Sequence, residues 1–81
     1  MNQSTPSIEK LRWQCRRGML ELDYVLKDFL ENHYPTLSAE EQMLFVKILD
    51  FEDQLLIDWV MGNVVPSDAK IRRLVGLMQA G

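Results

Sequence analysis

The side chains best suited to chemistry in this chain lie together in Arg16-Arg17-Gly18-Met19-Leu20-Glu21-Leu22-Asp23. Two guanidinium groups and two carboxylates flank a glycine at what reads as a helix start. A helix N-terminus carries partial positive charge, so cations are disfavoured there. Arg17 and Glu21 are four apart and would pair along one helical face, but base before acid is the weaker orientation. A glycine inside a helix would cost about 1 kcal/mol relative to alanine. Three locally unhelpful choices side by side point to a site kept for something other than stability.

Other chemistry finds little support. His33 and Cys15 are the only histidine and cysteine, too few for an ordinary structural zinc site. Glu40-Glu41 and Glu52-Asp53 read as solvated helix starts rather than ligands for a hard cation. No glycine-rich phosphate loop occurs, and no strand to carry one. Cys15 falls on an apolar stripe and is expected in the core. His33 reads as a helix-end polar residue, and Met19, Met43, Met61 and Met78 as core filling. No nucleophile, base and orienting group come together, so an enzyme in its own right is not expected.

The charge balance narrows the partners. Net charge is −3, which argues against nucleic acid, whose affinity comes mainly from phosphate neutralisation. Lys10, Arg12, Arg16 and Arg17 cluster near the start, while the stretch from Gly18 to Ala69 is acidic apart from Lys27 and Lys47. A basic segment on an acidic body is a directional surface that can orient a protein partner. One cysteine excludes an internal disulfide and suits a reducing compartment. With no apolar run near the ~18 residues of a membrane span and no signal pattern, the expectation is a bacterial cytoplasmic protein with no membrane insertion, or else a mature chain whose targeting segment is absent.

The elements that must position the cluster are helices. Residues 1–4 are polar and expected to be loose. Thr5 caps and Pro6 begins a first helix reaching about Arg16, with Ile8, Leu11 and Cys15 on its buried stripe. Trp13 falls off that stripe; it either covers a neighbouring helix or stands exposed for a partner. An unbroken helix from Thr5 to Tyr34 would run about 45 Å, too long for a compact domain of this size. A break at Arg17-Gly18 is therefore expected.

The second helix spans about Met19–Asn32, burying Leu22, Val25, Leu26, Phe29 and Leu30, with Asp23 and Lys27 paired outside. His33–Leu37 connects, and Ser38 and Glu41 form a capping box. A third helix to about Leu49 buries Leu44, Phe45, Ile48 and Leu49. A fourth carries Leu55, Leu56, Trp59 and Val60 and stops at Gly62-Asn63. Ser67 caps the last helix, with Asp68 in its first turn and Ile71, Leu74, Val75 and Met78 buried. The fold class is all-α: a compact single domain over residues 1–81, made of five short helices.

The Arg17-Gly18-x-x-Glu21 pattern within this setting closely resembles the signature of the succinate dehydrogenase assembly factor family, the SdhE-type flavinylation factors. Trp13-Gln14-Cys15 precedes it as an aromatic and a small residue do in relatives, and Leu37-Ser38, Phe45, Asp53 and Trp59 fall where relatives have similar residues. The resemblance implies an assembly chaperone that promotes covalent attachment of FAD to the flavoprotein subunit of succinate dehydrogenase, and in some bacteria of fumarate reductase. The factor would hold no cofactor stably and would be a monomer when free. Attachment joins a flavoprotein histidine to the flavin 8α-methyl carbon, and that chemistry belongs to the flavoprotein and its cofactor. The factor would bind the immature subunit and favour the aligned conformation.

Carried over by position, Arg17, Gly18 and Glu21 are the expected partner-binding residues, with Arg16, Asp23, Arg12 and Trp13 flanking. Gly18 would permit close backbone approach, Arg17 would present its donor fork across the interface, and Glu21 would orient Arg17 in the free factor. The bland alternative is a structural turn with a surface ion pair. A second class is an antitoxin-like regulator of a membrane-associated toxin, and a third is a helical DNA-binding module using Arg72 and Arg73.

Overall fold

The computed structural model describes residues 7–80. Five α-helices follow in order: α1 Ile8–Gln14, α2 Leu20–Asn32, α3 Ala39–Ile48, α4 Asp53–Met61 and α5 Ala69–Ala80. A 3-10 turn, Tyr34–Thr36, joins α2 to α3, and no strand occurs among the described residues. The extents are 39 × 28 × 21 Å, less than an unbroken first helix would have required.

The Ser7 hydroxyl caps α1, accepting from the Lys10 N–H at 3.2 Å. Residues 1–4, Thr5 and Pro6 lie outside the described residues. The helix stops at Gln14 rather than Arg16. Leu11 and Cys15 are buried as expected, but Ile8 is exposed.

Helix α2 is the central element, packing against α1, α4 and α5. Leu22, Leu26, Phe29 and Leu30 are buried along one face, with Val25 half-buried beside them. This is the i, i+4, i+7, i+8 stripe of a helix facing a core. Phe29 stacks on Phe45 of α3 with centroids 4.8 Å apart. Tyr34, which the sequence placed in a plain connector, turns inward and tilts against Phe45 at 5.5 Å. His33 closes α2, its ring 5.4 Å from that of Phe29. Burying a side chain such as Phe29 or Phe45 contributes about 1.5–3 kcal/mol.

The capping box of α3 is present in both directions: the Glu41 N–H donates to the Ser38 hydroxyl at 3.1 Å, and the Ser38 N–H to the Glu41 carboxylate at 3.2 Å. Phe45, Ile48 and Leu49 are buried; Leu44 is half-buried. After the α3–α4 corner, Leu56 and Trp59 face the core, with Leu55 and Val60 half-buried. Gly62 ends α4 at φ +83°, the left-handed stop that the sequence implied.

The cap of α5 is Asp68 rather than Ser67. One Asp68 oxygen accepts from the N–H groups of Lys70 at 2.7 Å and Ile71 at 3.1 Å. The guanidinium of Arg72 donates to the carbonyls of Pro66 and Ser67, which pins the preceding loop. Arg73 reaches across to Glu41 at 2.7 Å, joining α5 to α3. Both arginines therefore have structural partners within the fold. The methionines divide: Met78 is buried and Met19 half-buried, while Met43 and Met61 are exposed.

Candidate functional site

The chain reverses between α1 and α2 at Gly18, whose φ is +80°. L-residues resist this left-handed geometry, so glycine is the natural occupant. A Cβ built here would meet nothing within 4 Å. The position is thus conformationally demanding but sterically open toward solvent.

Asp23 holds the turn. One of its carboxylate oxygens accepts from the Arg17 N–H at 2.7 Å and the other from the Gly18 N–H at 3.1 Å. Met19, at the N-cap of α2, offers no side-chain acceptor, so a carboxylate one turn into the helix reaches back instead. Its charge also suits the positive end of the helix. Asp23 was expected outside, paired with Lys27; the backbone of the turn claims it.

Arg17 points away from Glu21. Its guanidinium pairs with Asp53 of α4 at 3.1 Å and donates to the Leu49 carbonyl at the end of α3. That carbonyl belongs to the set a helix leaves unpaired at its C-terminus, where a cation is also favoured. The expected Arg17–Glu21 pair does not form, because the left-handed turn at Gly18 removes the helical register that four-residue spacing assumes. The Arg17 side chain is only 18% exposed. In this conformation its fork serves the α3–α4 corner and not an incoming partner.

The remaining predicted residues are open. Glu21 is exposed in the first turn of α2 and has no ion-pair partner among the described residues. Trp13 is 70% exposed, so of its two alternatives it is the exposed aromatic and not a cover for a neighbouring helix. The Arg16 guanidinium lies over the Trp13 ring, 5.1 Å from its centre, within the range of a cation–π contact. Arg12 is also exposed.

Sequence reasoning passed over two neighbours, Leu20 and Tyr24, both strongly exposed on α2. The signal was present, since neither falls on the Leu22, Leu26, Phe29 stripe. A groove of about 500 Å³ runs between α1 and α2, with Arg12, Arg16, Leu20, Tyr24 and Lys27 among its lining. A second groove, of about 340 Å³, lies between the start of α2 and α4, where Met19, Leu20, Glu21, Ile57, Val60 and Met61 meet.

Cys15 lies under the turn. Its thiol faces the Leu26 carbonyl at 3.8 Å, and burial pushes its pKa up to about 11. A thiol held protonated in this way is a poor nucleophile. Among the described residues no three metal-binding side chains cluster, and no helix is long and apolar enough to cross a membrane.

The chain belongs to the family described as flavinator of succinate dehydrogenase, whose model matches residues 9–81. It is 40% identical to the FAD assembly factor SdhE of Coxiella burnetii, over 98% of this chain and 95% of that protein. It is 45% identical to the FAD assembly factor SdhE of Shewanella oneidensis, over 85% of this chain and 84% of the relative. The FAD assembly factor SdhE of Pseudomonas aeruginosa is likewise 45% identical, over 88% of this chain and 84% of its own length.

Proposed function

We propose that this protein promotes covalent attachment of FAD to the flavoprotein subunit of succinate dehydrogenase in the bacterial cytoplasm, without itself holding the cofactor. Fumarate reductase is a second client where a cell makes one. Residues 1–81 act as one helical domain that binds the immature subunit through the surface around Gly18 and Glu21, with Arg12, Trp13 and Arg16 flanking. The observation that carries this reading is the division of labour at the signature, in a member of the flavinator family. Arg17 and Asp23 brace the turn from inside, while Gly18 and Glu21 remain uncovered.

The physical mechanism is differential binding. A factor that binds one conformation of its client more tightly raises the population of that conformation by the ratio of the two affinities. The client conformation favoured here is the one in which its histidine and the flavin are aligned, and alignment lowers the barrier to their bond. A braced surface loses little entropy on binding, so more of the contact energy is left to act on the client.

The test uses a strain lacking the gene, complemented with wild type, Gly18→Arg or Glu21→Ala. Flavin fluorescence at the flavoprotein band in a denaturing gel reports the covalent bond. Wild type restores it and the two folded variants do not. Unchanged fluorescence in the deletion strain, in both succinate dehydrogenase and fumarate reductase, would sink the proposal.

A further inference from the structure

Leu20 is 87% exposed, more than any other large apolar side chain among the described residues. It opens α2, immediately after the Met19 N-cap. A single exposed leucine is ordinary. Two observations make this one different. It stands on a turn fixed by Asp23 and Arg17, so its backbone is held in place. It also lines both grooves at the site and forms the ridge between them.

The two sides of the ridge carry opposite charge. Toward α1 stand Arg12, Arg16 and Lys27, and the one carboxylate there, Asp23, is already engaged by backbone N–H groups. Toward α4 stands Glu21, against an otherwise apolar wall that includes Ile57, Val60 and Met61. A fixed apolar knob between fields of opposite sign specifies orientation as well as position.

We infer that Leu20 is the central apolar anchor of the contact with the flavoprotein, entering a socket whose rim is acidic toward α1 and basic toward α4. This inference rests on the proposed function and refines it. Charge decides between the possible occupants. A second copy of this chain, related by a two-fold axis, would set each basic groove against the other copy's Glu21 and leave most of the cations unmatched. A different protein with several carboxylates on one side of an apolar socket matches the whole surface. Excluding water around such a knob is how a small central contact comes to dominate an interface.

The test measures calorimetric binding of the purified flavoprotein subunit, produced without covalent flavin, to wild type, Leu20→Ser, Gly18→Arg and Val65→Ser. Val65 is 71% exposed and lines neither groove. Because Leu20 is so open, Leu20→Ser should keep the wild-type thermal midpoint. Binding should weaken at least tenfold for Leu20→Ser and less than twofold for Val65→Ser, with flavin fluorescence in cells following the same order. Wild-type affinity for Leu20→Ser, with binding lost in Gly18→Arg, would overturn the anchor and leave the proposed function standing. Wild-type affinity for all three variants would overturn both. Sedimentation showing a wild-type dimer that Leu20→Ser dissolves, with flavoprotein binding unchanged, would assign the ridge to a second copy and overturn the inference.

Discussion

The guanidinium of Arg17 lies 3.1 Å from the carboxylate of Asp53, a residue 36 positions away, while Glu21 only four positions on has no ion-pair partner among the described residues. The two charged residues of one signature thus do different work. Arg17 secures the turn to the α3–α4 corner, and Glu21 stays available. Arg17→Lys keeps the charge but loses the planar fork that reaches Asp53 and Leu49 together. It should lower stability by about 1–2 kcal/mol, since hydrogen bonds to charged groups are worth about 1.5–3 kcal/mol. Glu21→Ala should stay within about 0.5 kcal/mol of wild type and yet lose flavin attachment. Urea midpoints for the two variants check this. Equal midpoints for Arg17→Lys and wild type would mean that the brace carries no stability.

Gly18 separates backbone need from steric need. Asparagine tolerates a left-handed backbone better than other non-glycine residues, and the space around a Cβ is empty. Gly18→Asn should therefore fold with a loss of about 1 kcal/mol or less. On the proposed function, flavin attachment should still fall severalfold, because the new side chain stands in the space assigned to the client. Full attachment with Gly18→Asn would reduce the glycine to its role in the turn.

Cys15 predicts a pH dependence. Burial, the largest influence, raises its pKa from 9.0 to about 11; Arg17 opposes this and Asp23 adds to it. The folded state thus favours the protonated thiol. That stability is fully present below pH 9 and is lost as pH rises toward 11. Two pH units set a ceiling of about 3 kcal/mol. Chemical denaturation between pH 8 and about 11 should show a steeper decline for wild type than for Cys15→Val. Parallel slopes would mean that the thiolate is not excluded by the fold.

Glu41 moves the other way. The side-chain hydrogen bond from Arg73 and the Ser38 backbone N–H hold its carboxyl below the usual 4.5. A depressed carboxyl contributes stability above its unfolded value and loses that contribution as pH falls through the folded one. In an NMR titration, Arg73→Ala should shift the Glu41 carboxyl upward toward 4.5, with its capping hydrogen bond to Ser38 retained. An unmoved titration would show that the α3–α5 pair is not formed in solution.

Much of this architecture is legible from local rules. Apolar periodicity located five helices, the capping box at Ser38 and Glu41 marked the start of α3, and chain length demanded a break where Gly18 now stands. The misreadings arise where a side chain's partner is distant or where two residues compete for one role. No spacing rule connects Arg17 to Leu49 and Asp53. Asp23 had an attractive helical partner in Lys27, but two unpaired backbone N–H groups next to it held the stronger claim. Ser67 and Asp68 were both plausible caps, and the charged oxygen accepted both N–H groups. Tyr34 sat in a proline-containing connector, where the inward tilt of a 3-10 turn leaves no apolar period to detect. The likeness of Arg17-Gly18-x-x-Glu21 to a known signature pointed to this turn, but that Arg17 braces it from inside while Gly18 and Glu21 stay exposed is legible only in the tertiary structure.

The tie from Arg17 to Leu49 and Asp53 also imposes an order in time. The turn belongs to the early part of the chain, yet its fastening comes from the corner between α3 and α4. Local contacts close first, and contacts between distant positions wait for the loop entropy to be met. A ribosome-bound chain that has emerged only through α2 therefore carries the signature without its clasp. On the proposed function, the surface gains its second fastening only as the chain finishes its own tertiary structure, and until then Asp23 alone holds the turn.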